Sequence, residues 1–414
     1  MIRSTTAAMT RTLPYGRAGI QVSFPAEMEI EWVQPDYGPG APDAAALLAE
    51  RLRHPIAARP LAEQARGARR VTIVIDDISR PTPSKQMLPA VLAELRAAGV
   101  AESGIRILVG VGSHRTMTPA EMETIVGPEI FPRYTVLNHQ ARDPQHLADI
   151  GRSPRGIPVW INRLVVESDL CILTGFIKPH NVAGYSGGYK GYFPAVSGIE
   201  TIFGLHALQQ LPGEPCRVGE IDNPFRVELD ACGPLVPTPT FLLNTIINRQ
   251  KQIVDAFAGD PMEAHRAAVA EAEKRATVPV SRPADVVVAC GGYPSDISLY
   301  QGVNALTSVV RLRTPLVKPD GEVILLGEFS EGLGAEYDGT GRHKSLATAW
   351  ASHLKKMRRL TVVSPNVPAQ PLEAAGIAKA ATAEEALARC AAGRATPPHV
   401  VVMPDAPYTV GRAG

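Results

Sequence analysis

The 414-residue sequence has few of the features that mark a disulfide scaffold or a nucleic-acid-binding protein. Its five cysteines form no C-x-x-C pair, which indicates reduced and mostly buried thiols. The net charge is only +1, and no basic stripe is interleaved with the aromatic residues, which make up 5% of the chain. We therefore expect no nucleic-acid partner.

Long apolar runs are also missing. No stretch approaches the roughly 20 apolar residues that a bilayer-spanning helix needs. The segment Met1–Arg17 contains Arg3 and Arg11 but lacks the apolar core of a signal peptide. We therefore expect a cytoplasmic protein with no membrane partner. Its 45% apolar and 20% charged residues are typical of a globular chain, and its length favours two domains.

Short β-branched runs alternate with segments of helical periodicity along most of the chain. Val71–Asp77, Ile105–Val111 and Leu170–Thr174 have the composition of buried strands, and Met87–Gly99 repeats its apolar residues at helical spacing. Helix starts are marked by capping patterns at Thr118-Pro-Ala-Glu121, Asp260-Pro-Met-Glu263 and Thr382-Ala-Glu-Glu385. The alternation predicts an α/β fold with mainly parallel sheets.

A second series of strand-like runs follows a proline-containing segment, Ala276–Pro283, which is the best candidate for a linker. The runs are Asp285–Cys290, Glu322–Gly327, Leu360–Ser364 and Val400–Met403. We therefore predict two α/β domains with the active site in the cleft between them. Residues 1–277 would form the N-terminal cofactor-binding domain, which the tail 405–414 is a candidate to join, and residues 284–404 the C-terminal domain.

Reactive side chains follow three consecutive strands of the first series. Asp77 and Arg80 follow the first strand, His114 follows the second, and His180 and Lys190 follow the third. Because ligands of open α/β sheets bind beyond the carboxyl ends of the strands, these residues are candidates for one site.

Each of these residues also has a structural interpretation. An Asp77–Arg80 pair is often a plain salt bridge, a loop histidine is often structural, and Lys190 could simply be solvated. The guanidinium of Arg80, however, suits a carboxylate. Histidines at two successive strand ends leave the functional and the structural interpretation evenly balanced. The glycines around Lys190 indicate a backbone that something approaches closely.

The familiar nucleotide and metal motifs are absent. Gly110-Val-Gly112 lacks the third glycine of a dinucleotide turn, and Gly184–Lys190 lacks the Gly-Lys-Ser/Thr ending of a phosphate loop. No H-E-x-x-H motif or compact His/Cys cluster is present, which argues against a zinc site built by the protein alone. A metal held mainly by a cofactor, with one protein imidazole, remains compatible with the sequence.

Taken together, the motifs resemble the nickel-pincer lactate racemase family. The resemblance runs in matching order from about Val71 to Gly334. Its motifs are Asp76-Asp77…Arg80-Pro-Thr-Pro83, Gly112-Ser-His-Arg-Thr-Met-Thr118, His180-Asn-Val-Ala-Gly-Tyr-Ser-Gly-Gly-Tyr-Lys190, His206, Tyr293-Pro-Ser-Asp…Tyr300-Gln301 and Ser330-Glu-Gly-Leu-Gly334.

The resemblance implies a covalently bound cofactor. Lys190 would carry a nickel-pincer nucleotide, a pyridinium-3-thioamide-5-thiocarboxylate mononucleotide, through a thioamide bond, and cofactor-biosynthesis enzymes would load it. The cofactor would give nickel one carbon and two sulfur ligands, and His206 would give the fourth. Asp77, Gly187 and Gly188 would lie against the cofactor.

The resemblance also implies a reaction, the racemisation or epimerisation of a small 2-hydroxy acid by removal and return of a hydride. His114 and His180 would be the paired acid/base groups, one on each face of the substrate. The substrate-binding residues would be Arg80 on the carboxylate and Tyr300, Gln301 and Asn304 from the second domain.

Two positions depart from the lactate enzymes. Asn304 stands where those enzymes have a lysine, and Lys178 stands where they have an acid before Pro-His. The departures predict a substrate larger than lactate, such as a sugar acid or an acid with a bulky tail. The alternative is a lactate-type site in which Lys178 or another cation replaces the missing lysine.

Two other functions stay open at this point. A nicotinamide-dependent dehydrogenase would also transfer a hydride, but the glycine fingerprint is absent. A non-catalytic carrier of the nickel nucleotide would keep Lys190 and His206 but would not need both His114 and His180.

Overall fold

The computed structural model describes residues 9–334 and 346–413. Met1–Ala8 and Gly414, which fall in the N-terminal and C-terminal segments considered above, lie outside the described residues. The strands are β1 (Met9–Leu13), β2 (Ile20–Phe24), β3 (Glu29–Trp32), β4 (Val71–Asp76), β5 (Ile105–Gly110), β6 (Thr135–Asn138), β7 (Leu147–Arg152), β8 (Pro158–Asn162), β9 (Leu170–Phe176), β10 (Pro179–His180), β11 (Gly184–Tyr185), β12 (Thr240–Ile247), β13 (Ile253–Gly259), β14 (Thr277–Val280), β15 (Ala284–Cys290), β16 (Val317–Leu326), β17 (Arg359–Val363), β18 (Ala378–Ala380), β19 (His399–Met403) and β20 (Val410–Ala413). The helices are α1 (Ala44–Arg53), α2 (Leu61–Gln64), α3 (Ser84–Ala97), α4 (Pro119–Val126), α5 (Arg163–Val166), α6 (Ile199–Ala207), α7 (Pro224–Cys232), α8 (Pro261–Ala276), α9 (Leu299–Val310), α10 (Leu346–Leu354), α11 (Ala369–Ala374) and α12 (Ala383–Ala391).

The first sheet has six strands in the order β13-β12-β9-β4-β5-β6. All neighbours in it are parallel except β12 and β13, which form an antiparallel pair. Every residue of β9 is buried, which is typical of a parallel strand covered on both faces. The three strands predicted from β-branched runs are confirmed as β4, β5 and β9, and they are neighbours in this sheet.

The second sheet also has six strands, in the order β18-β17-β16-β15-β19-β3, and all its neighbours are parallel. Strands β15, β16, β17 and β19 confirm the four runs predicted in the C-terminal part. Helix α9 packs on β15 and β16, and α12 packs on β16 and β17. The mainly parallel α/β class is therefore confirmed in both sheets.

The N-terminal segment crosses to the second sheet. Strand β3 pairs with β19, and Phe24 and Ile30 lie in the same apolar cluster as Val286. The sequence analysis grouped these residues with 1–277 and gave no sign of this crossover. The division into domains at residues 277 and 284 stays a prediction.

The segment predicted as a linker, Ala276–Pro283, is not purely a linker. Thr277–Val280 forms β14, which pairs in parallel with β20. The tail therefore pairs with the connection between the sheets rather than with the first sheet. The pairing was missed because both strands have four residues and β14 contains a proline.

The predicted helix starts are confirmed. Thr118 forms a complete capping box at α4, Asp260 caps α8 and Thr382 caps α12. Helix α3 begins at Ser84, earlier than the periodicity indicated. All five cysteines are free and buried, as predicted. In the described part of the chain, no helix is both long and apolar enough to cross a membrane.

Candidate active site

A large cavity of about 1070 Å³ lies between elements of the two sheets. Its wall includes the loops that follow β4, β5 and β9 and one side of α9. All eleven residues that the sequence analysis assigned to the site line this one cavity: Asp77, Arg80, His114, His180, Gly187, Gly188, Lys190, His206, Tyr300, Gln301 and Asn304. The loops meet there because their strands are adjacent and parallel.

Asp77 and His114 form a hydrogen-bonded pair. Asp77 is buried, and its Oδ2 lies 2.8 Å from Nδ1 of His114. Ser79 donates its backbone N–H (2.7 Å) and its hydroxyl to the other carboxylate oxygen, Oδ1. Burial alone would raise the pKa of Asp77, but His114 and Arg80 outweigh it and hold that pKa well below its usual range. Because the carboxylate is ionised, Nδ1 of His114 carries a proton, and neutral His114 has its lone pair on Nε2.

Arg80 connects the first sheet with the second. Its Nη1 donates to the Ser79 hydroxyl (2.9 Å) and to Oε1 of Gln301 (2.9 Å). No ion pair within 4.0 Å joins Arg80 to Asp77 in the described part of the chain. The plain salt bridge considered from the sequence is therefore wrong, and the guanidinium is held at the cavity by Gln301 instead.

His180 has the opposite tautomer from His114. Its Nδ1 accepts the backbone N–H groups of Val182 and Ala183, both at 3.1 Å. Burial, with Lys190 and Lys178 nearby, lowers the pKa of His180 well below its usual value, so the ring is neutral near pH 7. Because Nδ1 is an acceptor, the proton of this neutral ring is on Nε2.

Lys190 is a half-buried amine in a short 3₁₀ helix, Gly188–Gly191. Burial, followed by the charges of Arg226 and Arg80, lowers the pKa of Lys190 to about 7. The lowered pKa favours the neutral amine near neutral pH, and a neutral amine is the nucleophilic form. The glycine-rich loop thus presents a lysine suited to forming a covalent bond.

Gly187 and Gly188 have φ angles of +82° and +63°, which favour glycine. A Cβ at Gly187 would collide with Ile177 and Asn244, and a Cβ at Gly188 would lie 2.8 Å from His265. The packing of the loop therefore requires both glycines.

His206 lies on α6 with its Nδ1 2.7 Å from the carbonyl oxygen of Ile202. Because a carbonyl only accepts, Nδ1 is the protonated nitrogen and Nε2 has the lone pair. The ring also makes an edge contact with Phe225, with the centroids 5.1 Å apart. This arrangement fixes one imidazole of the cavity in the form that ligates metals.

The three residues from the second sheet lie on α9. Gln301 accepts from Arg80, and its Nε2 lies 3.5 Å from Nε2 of His114. The ring of Tyr300 is edge-on to His114, with the centroids 6.2 Å apart. Asn304 donates its amide to the carbonyl oxygen of Gln301 (2.9 Å), so this position adds no charge to the cavity.

Two supporting residues were missed from the sequence. Asn244, on buried β12, accepts the backbone N–H of Gly188 at 2.9 Å. Arg226, on α7, is 1% exposed and donates to the carbonyl oxygens of the loop that carries Lys190. Asn244 interrupts an apolar strand, which is a signal that could have been found. Nothing in the local sequence marks the partners of Arg226.

Replacement of Arg226 by methionine is expected to lower the free energy of unfolding by about 3–5 kcal/mol. The guanidinium donates to the carbonyl oxygens of Ala183 (3.3 Å), Tyr185 and Gly187 (3.4 Å). It also pairs with Asp230 at 3.2 Å. The change would leave these buried acceptors without their donor. Urea unfolding followed by circular dichroism measures the loss.

The matched control is Arg266→Met, because that guanidinium is 58% exposed and pairs with Glu263 at the surface. A surface pair of this kind contributes about 0–1 kcal/mol. Equal losses in the two variants would contradict a supporting role for Arg226.

Comparison with known proteins finds the same family that the sequence motifs resemble. The family model of the lactate racemase N-terminal domain matches residues 15–214. The chain is 32% identical over 287 residues to a lactate racemase of Thermoanaerobacterium thermosaccharolyticum and 30% identical over 286 residues to one of Lactiplantibacillus plantarum. Each alignment covers 69% of this chain, and the chain spans 66% of the length of each of these curated relatives.

The solved structures agree over a longer region. The fold is similar to that of the lactate racemase apoprotein from Thermoanaerobacterium thermosaccharolyticum, with a TM-score of 0.82 and 26% identity over 98% of this chain and 100% of that chain. It is also similar to the crystal structure of a Thermotoga maritima protein, with a TM-score of 0.69 and 17% identity over 91% of this chain and 100% of that chain. The second likeness shows the fold alone.

Proposed function

Because the chain belongs to the lactate racemase family, we propose that it inverts the configuration of a 2-hydroxy acid at C2 and that its substrate is larger than lactate. One observation carries the proposal. A carboxylate-bound imidazole, a second imidazole and a nucleophilic lysine, namely His114, His180 and Lys190, line the same cavity as the guanidinium of Arg80. The cavity thus offers acid/base groups, an attachment point and an anchor for an acid.

The donor set of the cavity fits a cofactor that brings most of its own metal ligands. Among residues 9–334 and 346–413, no group of three or more His, Cys, Asp or Glu side chains could hold a metal ion. His206 supplies one imidazole nitrogen with its lone pair on Nε2. The nickel-pincer nucleotide that the sequence resemblance implies would be held by Lys190 and His206. When bound, it would accept a hydride from the substrate and return it.

The remaining chemistry belongs to the side chains. Arg80 binds the carboxylate of the substrate, because its planar fork matches two carboxylate oxygens. His114 takes the hydroxyl proton at Nε2, and Asp77 stabilises the resulting imidazolium. Loss of the hydroxyl proton and the hydride leaves a planar 2-keto acid. Inversion requires that the hydride return to the opposite face of that acid.

His180 is the acid/base group on the face of the substrate opposite to His114. In its observed tautomer it donates from Nε2, which stabilises a substrate oxygen on that side. To accept a proton at Nε2, the ring must first carry its proton on Nδ1 and release the N–H groups of Val182 and Ala183. The two histidines are therefore unequal, and the step through His180 carries the extra cost of breaking two hydrogen bonds.

The substrate preference follows from Asn304. A hydrogen bond to a charged group contributes about 1.5–3 kcal/mol and a neutral one about 1 kcal/mol, so replacing a lysine by an amide weakens the hold on a small acid. An amide both donates and accepts, which suits a tail that carries hydroxyl groups. The cavity volume of about 1070 Å³ is consistent with a substrate larger than lactate beside a nucleotide.

A panel of 2-hydroxy acids, from lactate to aldonic acids, tests the reaction and the substrate size together. The protein is loaded by co-expression with the cofactor-biosynthesis enzymes, and inversion is followed by chiral chromatography. We expect an acid larger than lactate to have the highest kcat/KM. A best value for lactate would contradict the larger substrate, and loading without inversion of any acid would indicate a carrier.

A further inference from the structure

Ser186 lies between two residues of the candidate active site, six positions after His180 and four before Lys190. It follows the hairpin of β10 and β11, and the next pair in the register of that hairpin is Lys178 with Ser186. The N–H of Ser186 donates to the carbonyl oxygen of Lys178 at 2.9 Å. In an antiparallel ladder the two residues of such a pair exchange both N–H···O bonds. The reciprocal bond would therefore run from the N–H of Lys178 to the carbonyl oxygen of Ser186.

The side chain of Ser186 makes this second bond instead of the carbonyl. The N–H of Lys178 donates to the hydroxyl oxygen of Ser186 at 2.9 Å. The same hydroxyl donates to the carbonyl oxygen of Phe176 at 2.6 Å. One hydroxyl thus provides an acceptor and a donor to the segment that leads to His180. Because Lys178 is buried, its N–H would otherwise need the Ser186 carbonyl as its acceptor.

The carbonyl oxygen of Ser186 is bonded to helix α8. It accepts from Nε2 of His265 at 3.0 Å, and His265 is 2% exposed. Since a carbonyl only accepts, Nε2 of His265 carries the proton. The imidazole ring also packs against Gly188, where an added Cβ would lie 2.8 Å from it. Helix α8 therefore holds the start of the 3₁₀ helix that contains Lys190.

The chain leaves the hairpin directly after Ser186. The next two residues, Gly187 and Gly188, both have positive φ angles. This turn is compatible with the hairpin because the carbonyl of Ser186 points to α8 while its hydroxyl completes the pairing with Lys178. The turn brings Lys190 to the wall of the large cavity. A side chain without a hydroxyl at Cβ could not satisfy both sides of residue 186.

We propose that Ser186 is a positioning residue, whose hydroxyl replaces its own carbonyl in the pairing with Lys178 and thereby directs the loop with Lys190 toward the cavity. His265 holds the carbonyl that is freed in this way. The inference rests on the proposed function for the roles of His180 and Lys190. Ser186 acts through these two residues, because its hydroxyl and its main chain bond to the segments that carry them.

Ser186→Ala tests the proposal on the apoprotein. Without the hydroxyl, the N–H of Lys178 has only the carbonyl of residue 186 as its partner, so this carbonyl should turn away from His265. Nitrogen NMR should then show loss of the slowly exchanging Nε2–H of His265. Acylation of Lys190 by acetic anhydride, mapped on peptides across pH, has its midpoint near the lowered pKa of about 7. That midpoint should rise by roughly one pH unit or more as the amine becomes exposed. Wild-type values of both would overturn the proposal.

Two further serine variants separate positioning from general stability. Ser186→Thr keeps the hydroxyl and should retain both wild-type values. Ser168→Ala is the matched control, because the Ser168 hydroxyl donates to the carbonyl oxygen of Leu164 and bonds to the hydroxyl of Thr72, both at 2.7 Å. Ser168 precedes β9, at the end of that strand away from the cavity. We expect Ser168→Ala to be destabilised in urea without a change at Lys190. An equal shift of the Lys190 midpoint in both alanine variants would overturn a specific role for Ser186.

His265→Leu tests the same link from helix α8, and it decides the matter if Ser186→Ala does not fold. Loss of the imidazole leaves the carbonyl oxygen of Ser186 without its donor. The midpoint for acylation of Lys190 should then rise, as in Ser186→Ala. A wild-type midpoint in His265→Leu would overturn the proposal.

The cofactor-loaded enzyme separates this inference from the proposed function. Ser186→Ala should load less cofactor, and its loaded fraction should have a kcat about 100-fold lower, the effect of a displacement of about 1 Å in an active site. Ser186→Thr should restore both. A wild-type protein that neither loads nor inverts any acid would contradict the proposed function alone, because the apoprotein measurements at His265 and Lys190 decide the role of Ser186 independently.

Discussion

Lys190→Arg is expected to abolish covalent attachment of the proposed cofactor and, with it, the proposed inversion of substrate. The guanidinium keeps the positive charge but lacks the primary amine that a thioamide bond requires. In the wild type, burial and the charges of Arg226 and Arg80 lower the pKa of Lys190 to about 7. The neutral, nucleophilic amine is therefore well populated near neutral pH. Intact mass and nickel content after co-expression with the cofactor-biosynthesis enzymes measure the loss.

The same pKa predicts how loading depends on pH. Because the pKa of Lys190 is lowered in the folded protein, the neutral amine increases as the pH rises through about 7 and is saturated above it. Loading in vitro should follow that rise. Lys274→Arg is the control, since Lys274 is 73% exposed on α8 and lies far along the chain from the loop. A full-size adduct in Lys190→Arg would contradict the attachment site.

The shared cavity could be predicted because the sequence places reactive residues after consecutive parallel strands. Strands β9, β4 and β5 are adjacent in the first sheet, so the residues that follow them come together without any detailed knowledge of side-chain packing. Asp77, His114 and His180 are brought together in this way. The alternation of strands with helices could also be predicted from the sequence. The capping residues Thr118 and Asp260 mark helix starts because they act through local hydrogen bonds alone.

The contacts between distant segments could not be predicted. Strand β3 is four residues long, and it joins the second sheet beside β19, more than 360 residues later. Nothing in its own periodicity identifies that partner. The pairing of β14 with β20 is equally non-local. Such pairings depend on the closure of the whole fold rather than on local preference.

The tautomers of the two histidines also could not be predicted from the sequence. His114 and His180 are the same residue type at equivalent strand ends, and the motifs treat them as a matched pair. Their tautomers are set by the atom that Nδ1 faces, which is a carboxylate for His114 and two backbone N–H groups for His180. The conformation of the loop decides whether Nδ1 faces a carboxylate or backbone N–H groups. The sequence of residues 180–183 does not predict that conformation.

Asp77→Asn is expected to lower kcat by about 10⁴-fold, the scale of the same change in a catalytic triad. The reason lies in Ser79, which donates its backbone N–H and its hydroxyl to Oδ1 of Asp77. An asparagine would place its carbonyl oxygen toward those donors and its NH₂ group toward Nδ1 of His114. Nδ1 would then accept, the proton would move to Nε2, and His114 would have no lone pair for the substrate hydroxyl. Single-turnover kinetics on loaded protein, normalised to nickel content, measure the fall.

Two further measurements separate this orienting role from a purely structural one. Nitrogen NMR of His114 should show the proton on Nδ1 in the wild type and on Nε2 in Asp77→Asn, a change that loss of stability alone would not produce. Asp77→Glu keeps an ionised acceptor and should retain the wild-type tautomer.

Because His114 and Arg80 hold the pKa of Asp77 well below its usual range, the wild-type pair stays intact as the pH falls through the range in which carboxylates ordinarily titrate. If Asp77→Asn carries a full load of nickel and inverts substrate within about tenfold of the wild-type rate, His114 is not the base, and the proton must leave by another group.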